Sequence, residues 1–123
     1  MEITVQQLQE MPEESCRLVD IRGEIEVSHG SIPEALAIPA EELTANPTLK
    51  KDRKVIVFCA RGEKSRPVAE ALCEKGYDAV NLEGGYMAWL MLEMSRTESD
   101  EYSRQVERSL QKKFRKSIWS KFT

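Results

Sequence analysis

Residues 55–77 read VIVFCARGEKSRPVAEALCEKGY, and they place one cysteine between an apolar run and a short loop rich in charge. Residues 55–58 have no polar alternation and are β-branched at three of four positions, which predicts a strand covered on both faces in a parallel sheet. After the loop, apolar residues recur at helical spacing, with Ser65 as a candidate N-cap and Gly76 as the stop signal. Cys59 is therefore expected at the carboxyl end of a central strand and just before a helix, where open α/β sheets bind their ligands.

The surroundings of Cys59 favour a reactive thiol. A free thiol has a pKa of about 8.5, and only the thiolate is a nucleophile. The positive charges of Arg61, Lys64 and Arg66, together with backbone N–H groups that Gly62 lets curl inward, are expected to stabilise a thiolate. The alternative is a buried cysteine that packs as a small hydrophobic residue.

Four separated stretches between residues 16 and 90 resemble the rhodanese-like sulfurtransferase family. Two of them, an Asp-x-Arg element at Asp20 and Arg22 and an Ile-Pro element, lie in the stretch LVDIRGEIEVSHGSIPEALAIP. The third resembles the active-site loop and reads CARGEKS. The fourth resembles the closing helix, strand and Gly-Gly turn and reads AEALCEKGYDAVNLEGGYMAW. Three positions depart from the family pattern: Ser31 replaces a usual His, Glu34 replaces a usual Gly, and Glu63 puts a negative charge in the loop.

The resemblance implies a sulfurtransferase in which Cys59 carries sulfane sulfur as a persulfide, from thiosulfate or a protein persulfide to a thiol acceptor. It also implies the site residues, with a binding loop around the nucleophile and four supporting positions: Ala60, Arg61, Gly62, Glu63, Lys64 and Ser65 in the loop, and Asp20, Arg22, Gly84 and Gly85 around it. No cofactor is implied.

Two alternatives remain open. A non-catalytic binding module with the same fold is compatible with the three departures. A cysteine phosphatase or arsenate reductase would need an Arg six positions after the cysteine to bind phosphoryl oxygens in a bidentate fork, and Ser65 occupies that position.

Composition limits the other possibilities. The chain has 123 residues, of which 41% are hydrophobic and 32% charged, and no apolar run reaches the ~20 residues of a membrane span. The start MEITVQQLQEM lacks a basic and apolar signal segment, which predicts a cytoplasmic protein. The single histidine, His29, and three cysteines without CxxC spacing predict no metal site, and Cys16 and Cys73 are expected to be packed thiols.

Strand patterns at residues 3–5, 17–21, 35–38, 55–58 and 79–82 alternate with helical segments. This alternation predicts an α/β fold, with a central, mostly parallel five-stranded sheet and helices on both faces, over residues 1–95. Gly84 and Gly85 precede the last helix of this domain and are expected to form a wall of the Cys59 pocket.

The chain changes character after residue 95. Residues 1–95 hold 10 Lys and Arg against 17 Asp and Glu, a net charge of −7, whereas residues 96–123 carry a net charge of +4. Apolar residues recur every fourth position from Val106 to Phe122, which predicts a basic amphipathic helix. Its predicted partner is protein (its own domain, a second copy or a downstream domain), RNA or an anionic membrane surface. The segment also resembles the helix before the nucleotide-binding loop of tRNA-thiolating PP-loop ATPases, which implies a role in tRNA thiolation.

Overall fold

The computed structural model describes residues 1–96. Its strands are β1 (Glu2–Ile3), β2 (Cys16–Asp20), β3 (Leu36–Ala37), β4 (Lys54–Phe58) and β5 (Ala79–Leu82). Its helices are α1 (Val5–Glu10), α2 (Glu24–Ser28), α3 (Ala40–Ala45), α4 (Ser65–Glu74) and α5, which is helical from residue 85 to residue 96; a short 3₁₀ helix covers Glu13–Ser15.

The five strands form one sheet in the order β1-β5-β4-β2-β3, and every neighbouring pair is parallel. The predicted α/β fold with a parallel five-stranded sheet is thus confirmed. Because β4 lies at the centre, its carboxyl end and that of β2 are adjacent, and Asp20 is in register with Phe58. The segments that follow these two strands therefore meet at one edge of the sheet.

The core explains the unpatterned apolar run of β4. Val55, Ile56, Val57 and Phe58 are all fully buried, as expected for a strand covered on both faces. One face packs against α3 and α4, which contribute Leu43, Val68, Ala69 and Leu72 to a cluster with side chains from the sheet.

Several local predictions are wrong. The first strand ends at Ile3, because Thr4 is the N-cap of α1 and its side chain accepts a hydrogen bond from the Gln7 backbone N–H. Ser65 is the first residue of α4 rather than its N-cap, which is Lys64. Cys73 is exposed on α4, where its thiol contacts the Ala79 carbonyl at 3.1 Å, so it is not a packed thiol.

The predicted C-terminal basic amphipathic helix lies outside the described residues from position 97 onward. Its partners, its resemblance to the ATPase segment, a role in tRNA thiolation and the boundary at residue 95 stay predictions, as does a cytoplasmic location. Within residues 1–96, no helix combines the length and apolar character needed to cross a bilayer.

Candidate active site

A cleft of about 230 Å³ opens at the carboxyl ends of β2 and β4. It has two walls, one from the segment after β2 and one from the loop after β4. The first wall consists of Ile21, Arg22, Gly23 and Glu26, and the second of Cys59, Ala60, Arg61, Glu63 and Lys64. The structure therefore brings the predicted nucleophile, four of the predicted loop residues and Arg22 together around one cleft.

The Cys59 sulfur is held by two donors from its own loop. The backbone nitrogen of Gly62 lies 3.1 Å from Sγ, and the Ser65 hydroxyl oxygen lies 3.3 Å from it. Cys59 is only 5% exposed, but it lines the cleft, and the neighbouring peptide N–H groups face the sulfur. Cys59 thus lines the cleft with its sulfur in contact with two hydrogen-bond donors.

This environment changes the ionisation of the thiol. Burial by itself raises the pKa of the Cys59 thiol. Hydrogen bonds from the Ser65 hydroxyl, and then from backbone N–H groups of the loop, outweigh burial and bring the pKa below its ordinary value. A lowered pKa increases the thiolate fraction at neutral pH, which is the state that acts as a nucleophile.

The N-terminus of α5 fixes the direction of the loop peptides. The backbone nitrogens of Tyr86 and Met87 donate to the carbonyls of Cys59 and Ala60 at 2.9 and 3.0 Å. Gly85 makes this approach possible, since a Cβ there would lie 2.8 Å from the Gly62 nitrogen. The two glycines therefore lie behind the loop and support its backbone. The expectation that they form a wall of the pocket is wrong, because the cleft lining includes neither of them.

Asp20 and Arg22 form a buried ion pair at the end of β2. The Arg22 Nη2 to Asp20 Oδ2 distance is 2.7 Å, and Arg22 also donates to the Gly30 carbonyl at 2.5 Å and lies 4.1 Å from the centre of the Tyr86 ring. Burial raises the pKa of the Asp20 carboxyl, but the Arg22 guanidinium and further hydrogen bonds lower it more, so the pKa lies below its usual range. Ser31, which replaces a usual His of the family, is one of these donors at 2.7 Å.

The charged side chains divide into paired and unpaired groups. Arg66 forms an ion pair with Glu2 at 2.9 Å, so it does not serve the sulfur as the sequence suggested. Arg61, Glu63 and Lys64 are exposed along the cleft and form no ion pair with the described part of the chain.

Two residues near the site were missed by the sequence interpretation. Glu26, which was not among the predicted site residues, lines the cleft from α2, a helix of five residues. Asn81 is a fully buried polar residue in β5, between Val80 and Leu82, and its amide contacts the Cys59 loop at Gly62. An asparagine inside an otherwise apolar strand is itself a sequence signal, because burial of an amide is costly without hydrogen-bond partners.

The geometry does not favour phosphate chemistry. Ser65, at the sixth position after Cys59, has its hydroxyl directed at Sγ and at Asn81, and Arg66 pairs with Glu2. Neither position offers a guanidinium fork for phosphoryl oxygens.

Within residues 1–96, no three His, Cys, Asp or Glu side chains converge in a way that could hold a metal ion.

Known proteins place these features in a family context. The rhodanese-like domain family matches residues 4–92. A sulfurtransferase of Allochromatium vinosum is 38% identical over 78 residues, which cover 62% of this chain and 73% of that protein. The thiosulfate sulfurtransferase GlpE of Shewanella oneidensis is 37% identical over 90 residues, covering 71% and 89%. The crystal structure of a rhodanese-related protein from Thermoplasma volcanium superposes with a TM-score of 0.68 at 32% identity, covering 73% of this chain and 90% of that one.

Proposed function

This chain belongs to the rhodanese-like domain family, and on that basis we propose that it is a sulfurtransferase in which Cys59 carries the transferred sulfur. The observation that supports this most directly is the pair of donors at Sγ, the Gly62 nitrogen at 3.1 Å and the Ser65 hydroxyl at 3.3 Å. A sulfur held in this way is stabilised as an anion at neutral pH. The names of the two sulfurtransferase relatives support the same assignment.

The reaction has two half-reactions, each a displacement at sulfur. In the first, the Cys59 thiolate attacks the outer sulfur of the donor, the donor's S–S bond breaks, and the former partner sulfur leaves with the electron pair as sulfite or a thiolate. In the second, an acceptor thiolate attacks the outer sulfur of the Cys59 persulfide and the Cys59 thiolate leaves. In each step the attacking thiolate supplies the electron pair of the new S–S bond and the leaving group keeps the pair of the broken one, so neither step requires an oxidant or reductant.

Two donor classes differ in charge, and the cleft favours one of them. Thiosulfate is a compact dianion, whereas the persulfide of an amino acid, peptide or protein carries ammonium groups as well as negative charge. Arg61 and Lys64 are opposed by Glu26 and Glu63 along the cleft, and the charge of Arg22 is neutralised by Asp20. A cleft with both signs of charge weakens a dianion site and offers partners to a zwitterion. We therefore propose that the donor is a thiol persulfide in preference to thiosulfate.

Mass spectrometry tests the covalent step. After incubation with thiosulfate or with glutathione persulfide, the intact protein should gain one sulfur atom, and peptide mapping should locate it on Cys59. Cys59→Ser is the matched control. The absence of this gain with both donors, together with an alkylation midpoint at the pKa of an ordinary thiol, would instead support a non-catalytic binding module.

Charge-neutral variants test the donor class. Glu26→Gln and Glu63→Gln should each raise kcat/KM for thiosulfate by about twofold to fivefold, the range expected for exposed charge interactions. The same variants should leave the glutathione persulfide rate unchanged or lower it. Glu70→Gln, an identical change on an exposed part of α4 outside the cleft, should alter neither rate. Equal changes for both donors would refute the proposed preference.

A further inference from the structure

Asn81 is a buried residue of β5 whose side-chain amide binds the Cys59 loop. It is 0% exposed, and its strand neighbours Val80 and Leu82 are apolar and buried. A buried amide is tolerated only when its donors and acceptor are satisfied. Within residues 1–96, its side chain forms hydrogen bonds with the Cys59 loop, the start of α4 and β1, at Gly62, Ser65 and Glu2.

The amide closes a ring of hydrogen bonds with the nucleophile. Nδ2 of Asn81 donates to the Gly62 carbonyl at 2.9 Å, and Oδ1 accepts from the Ser65 hydroxyl. Gly62 and Ser65 are also the two residues whose donors contact Cys59 Sγ, at 3.1 and 3.3 Å. One side chain thus holds both residues that contact the sulfur.

The orientation of the amide follows from the chemistry of its partners. The Gly62 carbonyl can only accept a hydrogen bond, so the NH₂ group must face it. Oδ1 must then face Ser65 and accept a hydrogen bond from its hydroxyl. The second N–H of the amide points to Glu2 at 3.3 Å, and Glu2 is itself paired with Arg66 at 2.9 Å. These contacts leave no freedom for the amide to rotate by half a turn.

The Ser65 hydroxyl has one hydrogen and two acceptors. While Cys59 is a thiol, the hydroxyl hydrogen can stay on the Asn81 side and the S–H can donate to the hydroxyl oxygen. When Cys59 becomes a thiolate, the hydroxyl hydrogen can turn to the sulfur, where a charged acceptor binds it more strongly. The ring therefore follows the ionisation of Cys59 without any movement of the backbone.

We propose that Asn81 is a positioning residue for sulfur transfer, which holds the Gly62 peptide and the Ser65 hydroxyl oxygen in place so that both groups can donate to Cys59 once its thiol ionises. This inference rests on the proposed function for its meaning in catalysis. Its structural core, the control of the Cys59 thiol by Asn81, does not require a sulfur donor and is tested without one.

The first test measures the rate of Cys59 alkylation by iodoacetamide against pH, in a background with Cys16 and Cys73 replaced by Ser. Asn81→Asp replaces the donor to the Gly62 carbonyl with an acceptor and adds negative charge close to Sγ. The alkylation midpoint should rise by about one pH unit, so that the rate at a pH well below the wild-type midpoint falls about tenfold. Ser65→Ala should raise the midpoint as well, and the double variant should shift it by less than both single shifts together, because Asn81 acts partly through Ser65.

Val80→Ala is the matched control for loss of packing, since Val80 is a buried neighbour in the same strand. It should lower the urea midpoint of unfolding and leave the alkylation profile unchanged. If Val80→Ala shifts the alkylation midpoint as much as Asn81→Asp, or if Asn81→Asp shifts it not at all, the proposal is wrong.

A measurement on the unsubstituted side chain keeps the proposal testable even if Asn81→Asp does not fold. In ¹H–¹⁵N spectra, the Asn81 Nδ2 signals should titrate with the same midpoint as Cys59 alkylation, and this titration should vanish in Cys59→Ser. Signals that do not move through the Cys59 midpoint would overturn the proposal. If instead they titrate while the protein never gains sulfur, the positioning role stands and the proposed function fails.

Discussion

Replacement of Asp20 by Asn should lower the free energy of unfolding by about 3 kcal/mol, because it leaves the charge of Arg22 buried without its partner. The Asp20 and Arg22 side chains are 1% and 7% exposed, so both ends of the ion pair are withdrawn from water. Removal of one partner of a buried pair costs about 3–5 kcal/mol, because the remaining charge is buried without compensation. Two interactions of the guanidinium remain, with the Gly30 carbonyl at 2.5 Å and the Tyr86 ring at 4.1 Å, which places the expected cost at the lower end of that range.

The assay is urea unfolding at pH 7, followed by far-UV circular dichroism. The urea midpoint of Asp20→Asn should fall with an unchanged m-value, and the melting temperature should fall by roughly 4–8 °C per kcal/mol for a domain of this size. Asp52→Asn is the matched control, since Asp52 pairs with Arg17 at 3.1 Å but its side chain is 49% exposed. An exposed pair contributes little, so this variant should unfold close to the wild-type midpoint.

The contribution of Asp20 to stability should depend on pH. The pKa of Asp20 is lower in the folded state than in the unfolded chain, where it is about 3.9. Its contribution to stability is therefore complete above that unfolded value and disappears as the pH falls through the lower folded value. The difference between wild type and Asp20→Asn should shrink in acid below about pH 4. Equal urea midpoints for Asp20→Asn and Asp52→Asn at pH 7 would refute the argument from buried charge.

Three further predictions concern the backbone and the core. Glu34 has φ of +72°, a conformation that costs an L-residue about 1–2 kcal/mol. Glu34→Gly should therefore raise the free energy of unfolding by about 0.5–1 kcal/mol after the entropic cost of glycine, seen as a higher urea midpoint, and no gain would mean that the Glu34 side chain compensates the strain. Gly85→Ala should slow Cys59 alkylation at pH 7, because its Cβ would displace the Gly62 nitrogen at 2.8 Å, and a wild-type rate would contradict this. Leu72→Ala should cost about 2–5 kcal/mol in urea unfolding and leave the alkylation midpoint unchanged, and a shifted midpoint would show that core packing controls the thiol.

The sheet and the position of the nucleophile could be predicted from the sequence because their signals are local. An unpatterned apolar run marks a buried parallel strand, and the loop that follows such a strand lies at the binding edge of the sheet. The position of Cys59 at this edge could therefore be predicted from the sequence alone. Glu34, at a position that is usually glycine in the family, has the positive φ that glycine adopts readily.

The predictions failed where long-range contacts outweigh local preference. Ser65 has the residue type and position of an N-cap, but its hydroxyl is used by Cys59 and Asn81, which lie on other elements. Arg66 is close in sequence to the basic residues of the Cys59 loop, yet its side chain forms an ion pair with Glu2 of β1. Helix α2, which brings Glu26 to the cleft, is five residues long and its N-cap Gly23 makes no side-chain cap, so its local signal is limited to the acidic residues Glu24 and Glu26 in its first turn.

The arrangement separates the ionisation of Cys59 from the choice of its substrate. At the base of the cleft, the Gly62 peptide and the Ser65 hydroxyl hold the sulfur, and the N–H groups of Tyr86 and Met87 bind the carbonyls on the opposite side of the loop. These donors are uncharged dipoles fixed by the fold, so they are insensitive to the charge of the bound donor molecule. Glu63 is exposed on the cleft wall, and the donors that lower the Cys59 pKa come from Ser65 and from backbone groups of the loop. If the proposed function holds, the departure of Glu63 from the family pattern therefore affects which sulfur donor enters the cleft, while the Cys59 thiolate remains available to attack that donor.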